Sequence, residues 1–261
     1  MTSLSYSSYL SIDNLLDLQK PLSEGPEHDE TLFIIIHQVY ELWFKQILHE
    51  LDFAHTHLQE GNMHVSMSTL KRILTILKTL VSQVDILETM TPLSFASFRG
   101  RLQNSSGFQS AQFREVECIL GYKRAHMLSQ FESEPRVHAK LLKRIHQKDL
   151  FHVFLEALAH EQVEIPASAF ARPLDAPREA CEDVQNVLLH VYRTRPDLVP
   201  LCERIVDLDE GFQEWRYRHV KMVERTLGAK IGTGGSAGVE YLKNTLFKPF
   251  FPDLWAIRSA F

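Results

Sequence analysis

DETLFIIIHQVYELWFKQILHELDFAHTHLQ, residues 29–59, decides the fold. Asp29 or Glu30 can open a helix, since an acidic side chain suits the positive end of the helix dipole. Leu32, Ile36, Val39, Trp43 and Ile47 then recur at spacings of 4, 3, 4 and 4, and Phe33, His37, Tyr40, Phe44, Leu48 and Leu51 form a second stripe beside them. A helix apolar around so much of its circumference must be buried on several sides. One member of the second stripe, His37, is polar.

Two further segments carry the same period. Residues 65–90 read as a helix whose inner face is Leu70, Ile73, Ile76, Leu77, Leu80, Val84 and Ile86. In 196–227, Leu201, Ile205, Leu208, Phe212, Trp215, His219 and Met222 repeat at 4, 3, 4, 3, 4, 3. Pro196 suits the first turn of that helix and Gly228 the position just past its end. Alternating patterns flanked by hairpin turns are almost lacking, so the class is all-α, a bundle of long helices.

Around these helices the chain reads as one domain over 1–261. Residues 1–20 form a polar, arm-like N-terminus with a short helix at 12–18, and 21–28 is loop. Pro92, Gly100 and the polar run 103–107 predict a short helix and an irregular loop. Residues 108–122 and 123–130 can be helical. Pro135, Pro166, Pro173 and Pro177 break 132–179 into short helices, a small helical insertion. After the glycine-rich run 232–236 a helix continues through Leu246 into an aromatic tail.

Composition narrows the class of function. A 261-residue chain that is 44% hydrophobic can build a substantial core, and its formal charge of −5, with Lys and Arg scattered among acids, argues against a nucleic-acid partner. Cys118, Cys181 and Cys202 are odd in number and lack CxxC spacing, which fits a reducing cytoplasm. No stretch approaches the ~18 apolar residues of a membrane helix. The N-terminus lacks a signal-peptide pattern, so the expected protein is cytosolic and mature from its first residues.

Thirteen histidines raise the question of a metal. His49-Glu50 and His160-Glu161 lack the second His of HExxH, and no paired ExxH motifs occur. GGSAG at Gly234 and GTGGSA at Gly232 follow no predicted strand, so neither a nucleophile elbow nor a dinucleotide fingerprint is indicated. What remains are His37 and His219, set inside apolar stripes with aromatics one turn away. A buried imidazole must satisfy its nitrogens, by a hydrogen bond to a carbonyl or carboxylate or by ligating a metal. Trp215, Phe212 and Met222 around His219 would suit a slot for a flat macrocycle such as haem, and equally an ordinary core.

Two other features could bind an anion. Arg99 follows Phe95 and Phe98 in PLSFASFRGR, where a guanidinium could grip a carboxylate while the rings hold an apolar side chain, or could form a structural ion pair. Gly232, Thr233 and Gly234 could offer a nest of backbone N–H groups and a hydroxyl, or merely connect two helices.

Four blocks, SYSSYLSIDNLL from Ser5, HDETLFIIIHQVYELWFKQILHEL from His28, SFRGRLQNSSGFQSAQFRE from Ser97 and FQEWRYRHVKMVERTLGAKIGTGGSAGVEYL from Phe212, resemble the tryptophan 2,3-dioxygenase family in order and spacing. The likeness covers nearly the whole chain and is weakest over 132–179. It implies that His219 is the proximal ligand of haem b (iron-protoporphyrin IX) and that His37 faces the indole N–H on the distal side. It implies Phe33 and Phe95 against the indole ring, and Arg99 with Thr233, flanked by Gly232 and Gly234, on the substrate carboxylate and ammonium. Tyr6 and Tyr9 correspond to aromatics that the N-terminal arm lends to a neighbouring subunit's pocket, so a homotetramer with arm exchange is implied.

The activity so implied is conversion of L-tryptophan and O2 to N-formyl-L-kynurenine, the first step of tryptophan degradation by the kynurenine pathway. A related haem-dependent monooxygenase, for example one forming an oxindole from a modified tryptophan, would carry nearly the same pocket and differ in product mass. A non-catalytic haem or tryptophan sensor would need only part of this residue set.

Overall fold

The computed structural model describes residues 4–103, 105, 107–228 and 239–261. Among them every regular element is helical and there is no strand, as the apolar periods require. Two short helices, α1 (Tyr6–Leu10) and α2 (Ile12–Leu16), begin the chain and bury nothing. The first long helix, α3 (His28–Gln59), is followed after three residues by α4 (Met63–Leu87), so the two run antiparallel as a helical hairpin. Gly61 makes that reversal at φ +78°, where a side chain would be strained, and a Cβ there would meet the His160 ring at 3.4 Å.

Further along come α5 (Pro92–Arg99), α6 (Ala111–Ile119), α7 (Pro135–Ile145), α8 (Leu150–His160), α9 (Glu182–Thr194), the 29-residue α10 (Val199–Leu227), α11 (Val239–Lys243) and α12 (Pro252–Ala256). Against α4 pack α3 on one side and α10 on another, while α6 and α8 cover other faces of α3. That is why α3 carries two apolar stripes: Ile36, Phe44, Ile47, Leu48 and Leu51 are all buried, facing different neighbours. α8 is as deeply placed, with Leu150, Phe151, Val153, Phe154, Leu155, Ala157 and Leu158 wholly buried in the main core. α7 packs apart from that core, in a small cluster where Leu141 and Ile145 meet Met127, Phe131 and Cys118.

Several boundaries differ from the sequence expectation. Ile86, expected on the inner face of α4, is 49% exposed, and Leu87 is buried instead. Two residues past Val84 is about 200° around the helix, whereas three brings the side chain back to the same face. α10 starts at Val199 with Pro200 in its first turn, because residues after Arg195 form a turn closed by Leu198 N–H donating to the Arg195 carbonyl. Residues 123–130 wind instead as the 3-10 segment Ala125–Phe131. α9 lies in a stretch for which the sequence expectation has no helix, yet Val184, Leu188 and Val191 form its buried stripe at spacings of 4 and 3.

The tail is sewn onto α10. Asp209, fully buried, accepts hydrogen bonds from Phe251 N–H and Trp255 Nε1–H, both 3.0 Å, and from Gln213 Nε2 at 3.1 Å. Arg216 donates to the Lys248 carbonyl at 3.1 Å and stacks over Phe250.

Candidate active site

Where α3, α5, α6, α10 and α11 meet, the side chains do not close, and a cavity of about 220 Å³ remains between them. Both stripe histidines reach it. His37 comes from α3 and His219 from α10, with the apolar parts of their stripes turned to the core.

His219 is partly exposed only because its ring lines this space. Removal from bulk water, then the neighbouring His37 and Arg114, push its pKa down to about 4, so the imidazole is neutral at ordinary pH. Among the described residues no group hydrogen-bonds either of its ring nitrogens. The ring is held by stacking: the Trp215 indole lies parallel to it, with centroids 5.3 Å apart and 9° between planes. Trp215 in turn abuts Phe113 at 4.9 Å and Phe44 at 5.8 Å.

His37 has a defined tautomer. Its Nδ1 lies 2.7 Å from the Phe33 carbonyl oxygen, which can only accept, so the proton is on Nδ1 and Nε2 keeps its lone pair. Burial lowers its pKa, more than the Phe33 bond and Glu41 raise it, which keeps the ring neutral. Phe33 packs on it at 4.1 Å, and Phe33, Phe95 and Phe98 surround one another at 5.4 to 5.7 Å. Phe33 and Phe95, with Leu87, Met90 and Leu102, make an apolar wall shaped for a flat aromatic group, and Phe98 is buried behind them.

Another part of the wall is charged, and periodicity gave no hint of it. On α6 the buried Glu117 carboxylate holds three guanidiniums: Arg114 and Arg124 donate to Oε2, the latter at 2.7 Å, and Arg216 Nη2 stands 3.6 Å from Oε1. The Tyr241 hydroxyl accepts from Arg124. Of these charged groups Arg114, Glu117 and Arg216 line the cavity itself, as does the Glu41 carboxylate from α3. The α6 register, with Phe113 facing Trp215, carries the signal that could have placed Arg114 and Glu117 here.

The other expected residues fall as follows. Arg99 lines a side recess with Phe95, Thr226 and Leu227, three residues that also line the main cavity. Phe212, offered as part of the slot, is fully buried behind it against Phe250, since its place one turn before Trp215 points it at the tail. Tyr6 and Tyr9 are 78% and 74% exposed and line no wall of this chain's own cavity. Gly232, Thr233 and Gly234 lie outside the described residues. Among the described residues no group of three His, Cys, Asp or Glu side chains could hold a metal ion, and no helix is long and apolar enough to cross a membrane.

Comparison with known proteins agrees with this geometry. The family model for tryptophan 2,3-dioxygenase matches residues 1–172 and 178–261. A tryptophan 2,3-dioxygenase of Herpetosiphon aurantiacus is 56% identical over 256 residues, 98% of each chain. One from Anaeromyxobacter sp. (strain K) is 54% identical over 257 residues, 98% of this chain and 96% of the relative. One from Bacillus anthracis is 41% identical over 259 residues, 98% and 92%. A neutral, stacked imidazole facing a second one across an aromatic-walled cavity, in a chain alike from end to end, places this protein in the tryptophan 2,3-dioxygenase family.

Proposed function

We propose that the protein is a haem-dependent tryptophan 2,3-dioxygenase that converts L-tryptophan and O2 to N-formyl-L-kynurenine. The observation that carries the reading is His219: a neutral imidazole, free of hydrogen bonds from the described residues, presented to a largely apolar, aromatic-walled cavity. Three features fit haem b in particular. The aromatic walls suit a flat porphyrin, the Arg114 and Arg216 guanidiniums on the wall suit its two carboxylates, and none of the three cysteines lines the cavity to attach it covalently.

Ferrous haem supplies the redox chemistry by which both atoms of dioxygen add across the indole C2–C3 bond. The protein's residues bind and orient the substrate. Phe33 and Phe95 fix the plane of the indole, and Arg99, in the recess that opens beside Phe95, takes the carboxylate, with Thr233 on the carboxylate and ammonium and Gly232 and Gly234 around it. His37 Nε2, its lone pair fixed by the Phe33 bond, accepts a hydrogen bond from the indole N–H and so sets the ring's rotation. Tyr6 and Tyr9 complete the pocket of a neighbouring copy, in a homotetramer of cytoplasmic, single-domain chains. A monooxygenase of similar pocket is the less favoured reading, since the relatives over the full chain carry the dioxygenase name.

The test is an optical spectrum of the protein with haem, followed by ascorbate, L-tryptophan and oxygen. The expected result is a Soret band that His219→Ala weakens, then growth of the N-formylkynurenine absorbance with a mass gain of two oxygen atoms. A gain of one oxygen, or an unaltered Soret band in His219→Ala, refutes the proposal.

A further inference from the structure

The N-terminal arm is apolar and uncovered. Leu4, Tyr6, Tyr9, Leu10, Leu15 and Leu16 are between 38% and 78% exposed, and α1 and α2 bury no residue. So many large apolar side chains on one short segment need a surface to cover them. Where the arm joins the body, however, it is tightly fixed. The Glu30 side chain, in the first turn of α3, is 2% exposed and its carboxylate accepts from Leu22 N–H at 2.7 Å, from Ser23 N–H at 3.0 Å and from the Ser23 hydroxyl. One turn past Phe33, Gln38 Nε2 donates to the Leu18 carbonyl at 3.3 Å, and its Oε1 accepts from Gln19 Nε2. Ser23 Oγ also accepts from Glu27 N–H at 2.8 Å, closing the turn that leads into α3.

We infer that Glu30 is a positioning residue for a neighbouring copy's reaction: its carboxylate clamps the root of the arm to α3, so that Tyr6 and Tyr9 leave this copy at a fixed angle and reach the other's cavity. The inference rests on the arm exchange proposed above. It adds a residue in one copy, lining no part of that copy's own cavity, that governs substrate binding in another. Three donors converge on one buried carboxylate, so the amide of Gln, which brings an N–H₂ to donors, loosens the root without changing its shape.

Mixed haem-loaded tetramers of full-length chains, selected with two affinity tags, test it. Active copies are wild type, and silent copies carry His219→Ala. Adding Glu30→Gln to the silent copies should raise the active copies' KM for L-tryptophan about threefold or more with kcat little changed, as expected when a pocket wall is misplaced. Glu30→Gln in the active copies alone should leave KM at the wild-type value. The same substitution should speed proteolysis within residues 4–22. A KM that follows the active copy's own Glu30, or that responds in neither arrangement, overturns the inference. Tyr6→Ala with Tyr9→Ala in the silent copies separates the two ideas: no change in KM there refutes the arm exchange itself, while a change there without a response to Glu30→Gln refutes only the clamp. If Glu30→Gln does not fold, Ser23→Ala, which removes one donor, should shift KM in the same direction by less.

Discussion

The chemistry of single side chains is set by who can donate and who can only accept. Because the Phe33 carbonyl fixes the His37 tautomer, His37 presents a hydrogen-bond acceptor to the substrate and needs no proton transfer to do so. His37→Ala is therefore expected to keep measurable turnover with a raised KM. Retained tryptophan binding with no activity in steady-state assays would show that the imidazole acts as a base. Arg99→Lys keeps the charge and loses the planar fork, so KM for L-tryptophan should rise on the order of tenfold with the haem spectrum unchanged. Glu117 is the other residue on which much depends. Glu117→Gln leaves three guanidiniums without their shared anion, and should cost roughly 3–5 kcal/mol, read as a lowered midpoint in thermal or urea unfolding.

Among the helices, α8 shows how one ionised group can hold an element in place. Asp149 caps it through His152 N–H at 2.8 Å and pairs with Arg178 at 2.8 Å and with Arg172. Burial alone would raise its pKa, but the two guanidiniums and the cap outweigh that and hold the carboxyl below its ordinary value. A depressed native pKa means the stabilisation is complete above the unfolded value, about 3.9, and is lost as pH falls through the native one. Plots of melting temperature against pH should then be flatter below about pH 4 for Asp149→Asn than for the wild type. How legible each helix was follows from its surroundings. α3, α4 and α10 each keep an apolar stripe over four or more turns, so their existence is plain. α9 is short, and its stripe, three residues long, is no stronger than chance until the neighbours that bury it are known. At the site, His37 and His219 stood out as polar members of apolar stripes. Glu117 and its arginines did not, because their charges balance through contacts up to 99 residues apart, such as that between Glu117 and Arg216.

At the scale of the molecule, the body and the arm are energetically separate. Removing 4–16 deletes no buried side chain, so the melting temperature of the body should barely move, whereas tryptophan affinity should fall; a large loss of thermal stability in the truncated chain would mean the arm belongs to its own body's core. The C-terminal end behaves in the opposite way. Since Asp209 is satisfied by Phe251 and Trp255, and Arg216 by Lys248, the helix that bears His219 is seated only once residues 248–255 are in place. Those residues leave the ribosome after α10 does, so the pigment pocket is finished only once they have emerged. Chains stalled or truncated before Lys248 should be made, yet fail to retain haem.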